Sequence, residues 1–151
     1  MRDINEIGFQ TTALNELIDR CRRAQKGYTE YRESHIFSRS APTGSGKTII
    51  MASLIEAILR GGRPNCPAQT DAVFLWLSDD PELNKQSKEK IERHADKLGE
   101  KSCVIIEGDK FFDKELADGH VYFLNTDKLR EGSKLVSNKK DEREYTIWQA
   151  I

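Results

Sequence analysis

The sequence predicts an α/β fold with a mainly parallel sheet, and two features of the chain lead to that prediction. Apolar runs of strand length occur at 72–77, 103–106 and 121–124, and segments with helical spacing or helix-capping residues separate them. Strands and helices that alternate in this way form βαβ units, in which the strands are parallel. The other feature is a glycine-rich octamer at 41–48 that runs directly into an apolar helix.

The octamer at 41–48 reads APTGSGKT, a spacing that wraps main-chain N–H groups around a polyphosphate. Its two glycines allow the chain to turn back without a Cβ clash. Lys47 can reach the β- and γ-phosphates, and the Thr48 hydroxyl is placed to bind Mg²⁺. The predicted nucleotide-binding residues of this phosphate loop are Thr43, Gly44, Ser45, Gly46, Lys47 and Thr48, with Lys47 also acting in catalysis.

The segments on either side of the phosphate loop favour a functional loop over a chance turn. His35-Ile36-Phe37-Ser38 is predicted to form a short buried strand before it, and the apolar residues at 49–59 a helix after it, ended by Gly61-Gly62. The N-terminus of that helix directs its dipole and free N–H groups at an anion. Strand, glycine loop and helix together are the context that the motif requires.

Composition limits the other classes of function. The 151 residues, 37% of them hydrophobic, fit one packed domain, and the formal net charge of −1 gives no overall positive field for nucleic acid. Nowhere do 18 apolar residues run uninterrupted, so we expect a cytoplasmic protein without a membrane partner. Reduced thiols and no zinc site are expected, because the cysteines and histidines are scattered, at Cys21, Cys66, Cys103, His35, His94 and His120.

The remaining elements follow from spacing and capping signals. A first amphipathic helix is predicted after Thr11-Thr12, followed by a polar connection at 26–33. The apolar run at 72–77 is typical of a strand buried on both faces. Asp80 can cap a charged helix that begins at Pro81 and continues to about Leu98. A charge-rich loop is expected at 130–144, and a new apolar pattern begins near 145.

Hydrolysis of a nucleotide also needs a carboxylate near Mg²⁺, and three positions are candidates. Asp79 and Asp80 follow one apolar run, the segment 107–109 follows another, and Asp127 follows a third. None has an apolar run leading straight into Asp-Glu. Asp80 can instead cap the helix that follows it, and residues 107–109 can instead form a turn.

Four elements in order carry a family resemblance. Ala41 stands where many phosphate loops have glycine, and Gly8-Phe9-Gln10 precedes the first helix. Pro-x-Leu-x-x-Gln occurs at 81–86, and Phe-Leu-Asn-Thr-Asp-Lys-Leu at 123–129. Together, over about residues 7–151, they resemble the start of superfamily-two DEAD/DEAH-type helicases, and more narrowly the type III restriction (Res) subunit group.

The resemblance implies an incomplete RecA-like P-loop NTPase domain that uses ATP and Mg²⁺. It implies that Gln10 recognises the edge of the adenine base, because the side-chain amide offers both a donor and an acceptor. It also implies that Gln86 and Thr126 contact nucleic acid. The implied domains are an N-terminal helix with Gln10, 1–33, and an incomplete first RecA-like domain, 34–151.

For the parent protein the resemblance implies ATP hydrolysis coupled to translocation along double-stranded DNA. The implied partners are a second RecA-like domain and a modification or recognition subunit. Because the later family motifs are absent, we expect a truncated chain that binds ATP without turning it over.

Two other functions remain open on the sequence. One is a small P-loop kinase. The chain length permits it, but the sequence shows neither a second substrate loop nor an Arg-rich lid. The other is a non-catalytic nucleotide-binding module, in which the loop acts as a switch.

Overall fold

The computed structural model describes residues 8–99, 101–107, 111, 113–130, 133, 135–136 and 145–151. The helices are α1 Gly8–Tyr31, α2 Lys47–Arg60, α3 Pro81–His94 and α4 Ile147–Ala150, and a 3₁₀ helix spans Thr126–Leu129. The strands are β1 Phe74–Ser78, β2 Cys103–Ile105 and β3 Val121–Asn125. None of these helices combines the length and the apolar composition needed to cross a bilayer.

The three strands form a parallel sheet in the order β1-β3-β2. In β3 every residue is buried, because it lies between two strands and is covered on both faces. Helices α2 and α3 cover one face, where Ile55 and Ile91 pack with Phe123. Residues near the chain's C-terminus, including Ile147, cover the other face beside Leu124. The prediction of an α/β fold with a parallel sheet is confirmed.

Helix α1 packs against α2 rather than against the sheet. Leu14, Leu17 and Ile18 share a hydrophobic cluster with Ile50 and Leu54 of α2. This face of α1 is the one predicted from its apolar spacing, but the ends of the helix differ from the prediction. It begins at Gly8 instead of after Thr12, and it continues to Tyr31 through the segment expected to be a connection.

The polar segment at 26–31 stays helical because its own side chains support it. Lys26 and Glu30 form an i,i+4 ion pair at 3.6 Å. Thr29 Oγ1 donates a hydrogen bond to the carbonyl of Gln25, one turn earlier, at 3.0 Å. The helix ends where Arg32 adopts a φ of 58°, which turns the chain away.

The predicted strand at 35–38 is wrong. These residues are exposed and lie outside the described sheet, and the side chain of Ile36 is fully exposed. The ring of His35 lies so close to Gly27 of α1 that a Cβ there would collide with it. The segment comes directly after α1. Within the described residues the sheet order is β1-β3-β2, so none of these strands pairs with 35–38.

The strand predicted at 72–77 exists as β1, but it is not buried on both faces. Phe74 and Trp76 pack toward α2 and α3, whereas Leu75 is 36% exposed and Leu77 50% exposed. The alternation arises because the residues that cover the second face of β3 do not extend over β1. Helix α3 also ends earlier than predicted, at His94, and a turn follows it.

The order of elements places the phosphate loop at the carboxyl ends of the strands. Helix α3 starts just after β1, so its last turn lies toward the opposite edge of the sheet. Arg60, at the end of α2, donates from Nε to the carbonyl of Lys97, just beyond α3, at 3.0 Å. The C-terminus of α2 therefore lies at the amino edge, and its N-terminus points to the carboxyl edge, where ligands bind in open α/β sheets.

Candidate nucleotide-binding site

Residues 41–46 form an open loop that leads into the first turn of α2. Gly44 and Gly46 both have a φ of 81°, a backbone conformation that side chains with a Cβ rarely adopt. Between them, the N–H of Ser45 donates to the carbonyl of Pro42 at 3.2 Å. No side chain caps the N-terminus of α2, whose first turn contains no acidic residue. The first amides of α2 thus remain available to an anion.

Lys47 folds back over the loop. Its Nζ donates hydrogen bonds to the carbonyls of Ala41 and Pro42, both at 2.9 Å. The ammonium group therefore lies on the same loop as the glycine turns, with its side chain exposed to solvent. A phosphate group that reached this position could replace the two carbonyls as the acceptor.

Gln10 lies beside the loop, although 35 residues separate it from Ser45 in the sequence. Its Nε2 donates a hydrogen bond to the carbonyl of Ser45 at 3.2 Å. A Cβ built on Gly46 would lie 2.5 Å from the same nitrogen. The structure thus brings Gln10 together with the predicted phosphate-binding residues, by packing α1 along α2.

An ion pair holds the segment before the loop. Arg39 Nη1 contacts Glu16 Oε2 at 2.8 Å, which links this segment to α1. Beneath the loop lies a small, mostly apolar cavity of about 120 Å³, lined by Leu17, Arg39, Ala41, Lys47, Ile50 and Met51. Sequence reasoning missed this ion pair, because a contact between residues far apart in the chain leaves no local pattern.

The residues present fit a bound nucleotide phosphate. The Ser45 hydroxyl is buried and has no hydrogen-bond partner within the described residues. Buried polar groups are normally hydrogen-bonded, so an unsatisfied hydroxyl in a glycine loop indicates a missing partner. Ser45, Lys47 and the amides of α2 are the donors that a phosphate requires. The Thr48 hydroxyl, in the first turn of α2, is a hard oxygen ligand of the kind that Mg²⁺ prefers.

Two of the candidate carboxylates, Asp80 and Asp127, have other partners. Asp80 accepts a hydrogen bond from the N–H of Glu82 at 2.8 Å and so caps α3, as predicted. Asp127 pairs with Arg130 at 2.7 Å. Within the part of the chain that the structure describes, no cluster of three His, Cys, Asp or Glu residues could hold a metal ion. Asp109 lies outside the described residues.

The two candidate contacts to nucleic acid lie on elements that begin at the carboxyl edge of the sheet. Thr126 starts the 3₁₀ helix directly after β3, and Gln86 is exposed in the first half of α3. Asn125 holds this edge together, because its Nδ2 donates to the carbonyl of Asp79 at 3.1 Å. Asn125 also caps the 3₁₀ helix, because its Oδ1 accepts a hydrogen bond from the N–H of Asp127. Sequence reasoning missed Asn125, although a polar residue that ends an apolar run is a recognisable signal.

Comparison with known proteins identifies a family for this chain. The family model for the type III restriction enzyme, res subunit, matches residues 5–148. No curated protein matches the chain, and no solved structure matches it. The match covers the phosphate loop, α1 with Gln10, and all three strands. It does not favour the small-kinase alternative. The chain therefore belongs to the type III restriction enzyme res subunit family, and its domain is an ATP-binding, helicase-type domain with a RecA-like P-loop fold.

Proposed function

We propose that residues 43–48 bind the phosphates of ATP and that Gln10 recognises the adenine base. The observation that supports this most is the position of Lys47, whose ammonium group lies on carbonyls of the glycine loop at 2.9 Å. Phosphate oxygens are stronger acceptors than these carbonyls. On nucleotide binding, Lys47 exchanges them for the β- and γ-phosphates.

Thr48 would hold Mg²⁺ together with oxygens of the nucleotide. The cation, when bound, neutralises charge on the phosphates. The buried Ser45 hydroxyl gains an acceptor, and the first amides of α2 donate to the phosphates. In this proposal Gln10 moves its amide from the Ser45 carbonyl to the adenine edge.

The helicase-type role extends to nucleic acid. We propose that the parent protein translocates along double-stranded DNA as part of a restriction-type system. Gln86 and Thr126 contact the DNA backbone in this proposal, since both lie on elements that begin at the carboxyl edge of the sheet. A second RecA-like domain and a modification or recognition subunit are the proposed partners. The division into a Gln10 helix, 1–33, and a RecA-like domain, 34–151, is part of the same proposal.

The chain by itself is proposed to bind ATP without turning it over. Water attack needs a carboxylate near the metal and an arginine that stabilises the transition state. Among the sequence candidates, Asp80 caps α3 and Asp127 pairs with Arg130. These carboxylates already have structural roles, so neither is free to activate water.

Titration calorimetry tests the nucleotide site. The wild-type chain should bind MgATP, and Lys47→Ala should weaken binding by at least tenfold, or about 1.4 kcal/mol. Gln10→Ala should reduce the preference for ATP over GTP. The matched control is Lys85→Ala, which removes an exposed ammonium paired with Glu82 on α3 and should bind as wild type does. Unchanged affinity in Lys47→Ala would overturn the proposed site.

Fluorescence anisotropy with a labelled duplex tests the nucleic-acid surface. Thr126→Ala and Gln86→Ala should each weaken binding of a DNA duplex, without changing ATP affinity. Thr29→Ala is the control, because this exposed threonine bonds only within α1. Equal duplex affinity in all three variants would argue against this surface while leaving the nucleotide site intact.

A further inference from the structure

Two of the three cysteines belong to one hydrophobic cluster, although 45 positions separate them in the sequence. Cys66 is buried in the cluster between α1 and α2, and half-buried Cys21 of α1 packs against it. Cys66 belongs to the connection between α2 and β1, where an antiparallel bridge joins Arg63 to Cys66. Cys103 belongs to a different cluster, under the sheet.

The contacts around the two cysteines show how the connection lies along α1. Gln69 Nε2 donates to Gln25 Oε1 at 2.7 Å. Cys21 lies one helical turn before Gln25, on the same side of α1, and Cys66 lies three residues before Gln69. Pro67 and Gln69 of the connection form one wall of an open groove of about 500 Å³, whose other wall is α1. The connection therefore runs beside the helix at the level of Cys21.

We propose that Cys21 and Cys66 are an oxidisable pair that closes a disulfide between α1 and the connection after α2. The bridge would join two segments that share a hydrophobic cluster and the Gln25–Gln69 hydrogen bond. It would enclose the phosphate loop and all of α2 in one covalent ring. Oxidation would thereby hold the helix that carries Gln10 against the helix that begins with Lys47.

The oxidant in this proposal is hydrogen peroxide. One thiolate attacks a peroxide oxygen, the O–O bond breaks, and a sulfenic acid and water form. The second thiolate attacks the sulfenic sulfur, the S–S bond forms, and a second water leaves. Two thiols thus lose two electrons and two protons, and one peroxide is reduced to two waters.

The charges around the two thiols differ. Burial raises the pKa of both thiols, and the nearby Cys66 raises the pKa of Cys21 further. The positive charges of Arg22 and Arg63 lower the pKa of Cys66 and so offset part of the effect of burial. The Cys66 thiol also donates a weak hydrogen bond to the carbonyl of Ala57 at 3.2 Å, which the bridge would break.

Peptide mapping after oxidation tests the proposal on the wild-type chain. The protein is treated with hydrogen peroxide, alkylated under denaturing conditions, digested and analysed by mass spectrometry without reduction. We expect a cross-linked peptide pair containing Cys21 and Cys66, with Cys103 alkylated. Cys103→Ser should form the same pair, whereas Cys21→Ser and Cys66→Ser should not form an intramolecular bridge.

A second measurement links the bridge to the fold. The oxidised chain should unfold at a higher temperature than the reduced chain, and the difference should vanish after dithiothreitol and in Cys66→Ser. Cross-links that involve Cys103, dimers between chains as the main product, or thiols that oxidise only to sulfinic acid would each overturn the proposal. Because mapping uses the wild-type chain, it decides the question even if a variant fails to fold.

Discussion

The side-chain amide of Gln10 donates to the main-chain carbonyl of Ser45 at 3.2 Å, so α1 rests directly on the phosphate loop. The contact depends on Gly46, whose missing Cβ leaves room for the amide nitrogen. Any event that shifts α1 along α2 therefore changes the surroundings of the loop. This connects helix α1 with the geometry of the proposed nucleotide site.

The first prediction separates this contact from backbone strain. Gly44 and Gly46 share a φ of 81°, so alanine at either position should cost about 1 kcal/mol of unfolding free energy. Only Gly46→Ala brings a Cβ to 2.5 Å from Gln10 Nε2, whereas nothing lies within 4 Å of that position at Gly44. Urea denaturation should show a larger loss for Gly46→Ala, by about 1 kcal/mol, because the Gln10 amide must move and give up its hydrogen bond to Ser45.

Combination with Gln10→Ala provides the control for that prediction. In the Gln10→Ala background the side chain that meets the new Cβ is gone, so the two glycine variants should lose equal stability. If Gly46→Ala remains the more destabilised variant in that background, the extra cost comes from another source than the Gln10 contact.

The second prediction concerns the cap of α3. The Asp80 side chain accepts from the N–H of Glu82 at 2.8 Å, with Pro81 at the first helical position. Asp80→Ala should lower the unfolding free energy by about 1 kcal/mol, while Asp80→Asn should keep most of it. The neighbouring Asp79→Ala is the control and should change little. Equal losses at both positions, measured by thermal unfolding, would contradict the capping role.

The third prediction compares two leucines that are partners in the sheet. Leu77 of β1 lies opposite Leu124 of β3, but Leu124 is fully buried and Leu77 is 50% exposed. Leu124→Ala should cost about 3 kcal/mol by opening a cavity. Leu77→Ala should cost less than about 1 kcal/mol, because water already reaches its side chain. Similar losses in denaturant titration would mean that Leu77 is buried in solution.

The fourth prediction is a pH dependence from Cys103. Burial, helped by Glu92 and opposed by Lys88, raises its pKa from 9.0 to about 11. Between pH 9 and pH 11 the thiol of the unfolded chain loses its proton, while the thiol of the folded chain keeps it. The contribution of Cys103 to the unfolding free energy is therefore complete below pH 9 and is lost as the pH rises to 11. The loss attributable to this group is about 2 kcal/mol.

Comparison with Cys103→Ala isolates that contribution from the other groups that titrate in this range. The unfolding free energy of the variant should fall less between pH 9 and pH 11 than that of the wild-type chain, under reducing conditions. Parallel pH curves for the two proteins would show that the thiol pKa is the same in the folded and unfolded states.

Local signals predicted well the elements that depend on neighbouring residues. The cap at Asp80 and the glycine stop after α2 lie where the sequence places them, since both depend on contacts within one helical turn. The strand prediction at 35–38 was wrong, although the segment contains apolar residues of the kind found in strands. None of the described strands pairs with it. Strand formation needs hydrogen bonds from a distant segment, and the pattern of one segment does not contain them.

The sequence by itself determined the glycine turns of the loop at 41–46, the parallel α/β class and the family resemblance, because glycine spacing and apolar periodicity act over a few residues. Tertiary structure alone decided that Gln10 meets Ser45, that Arg39 pairs with Glu16, and that β1 is exposed on one face. It also decided that Cys21 and Cys66 share a cluster. These relationships arise when helices pack on one another, and packing brings together residues whose separation along the chain carries no signal.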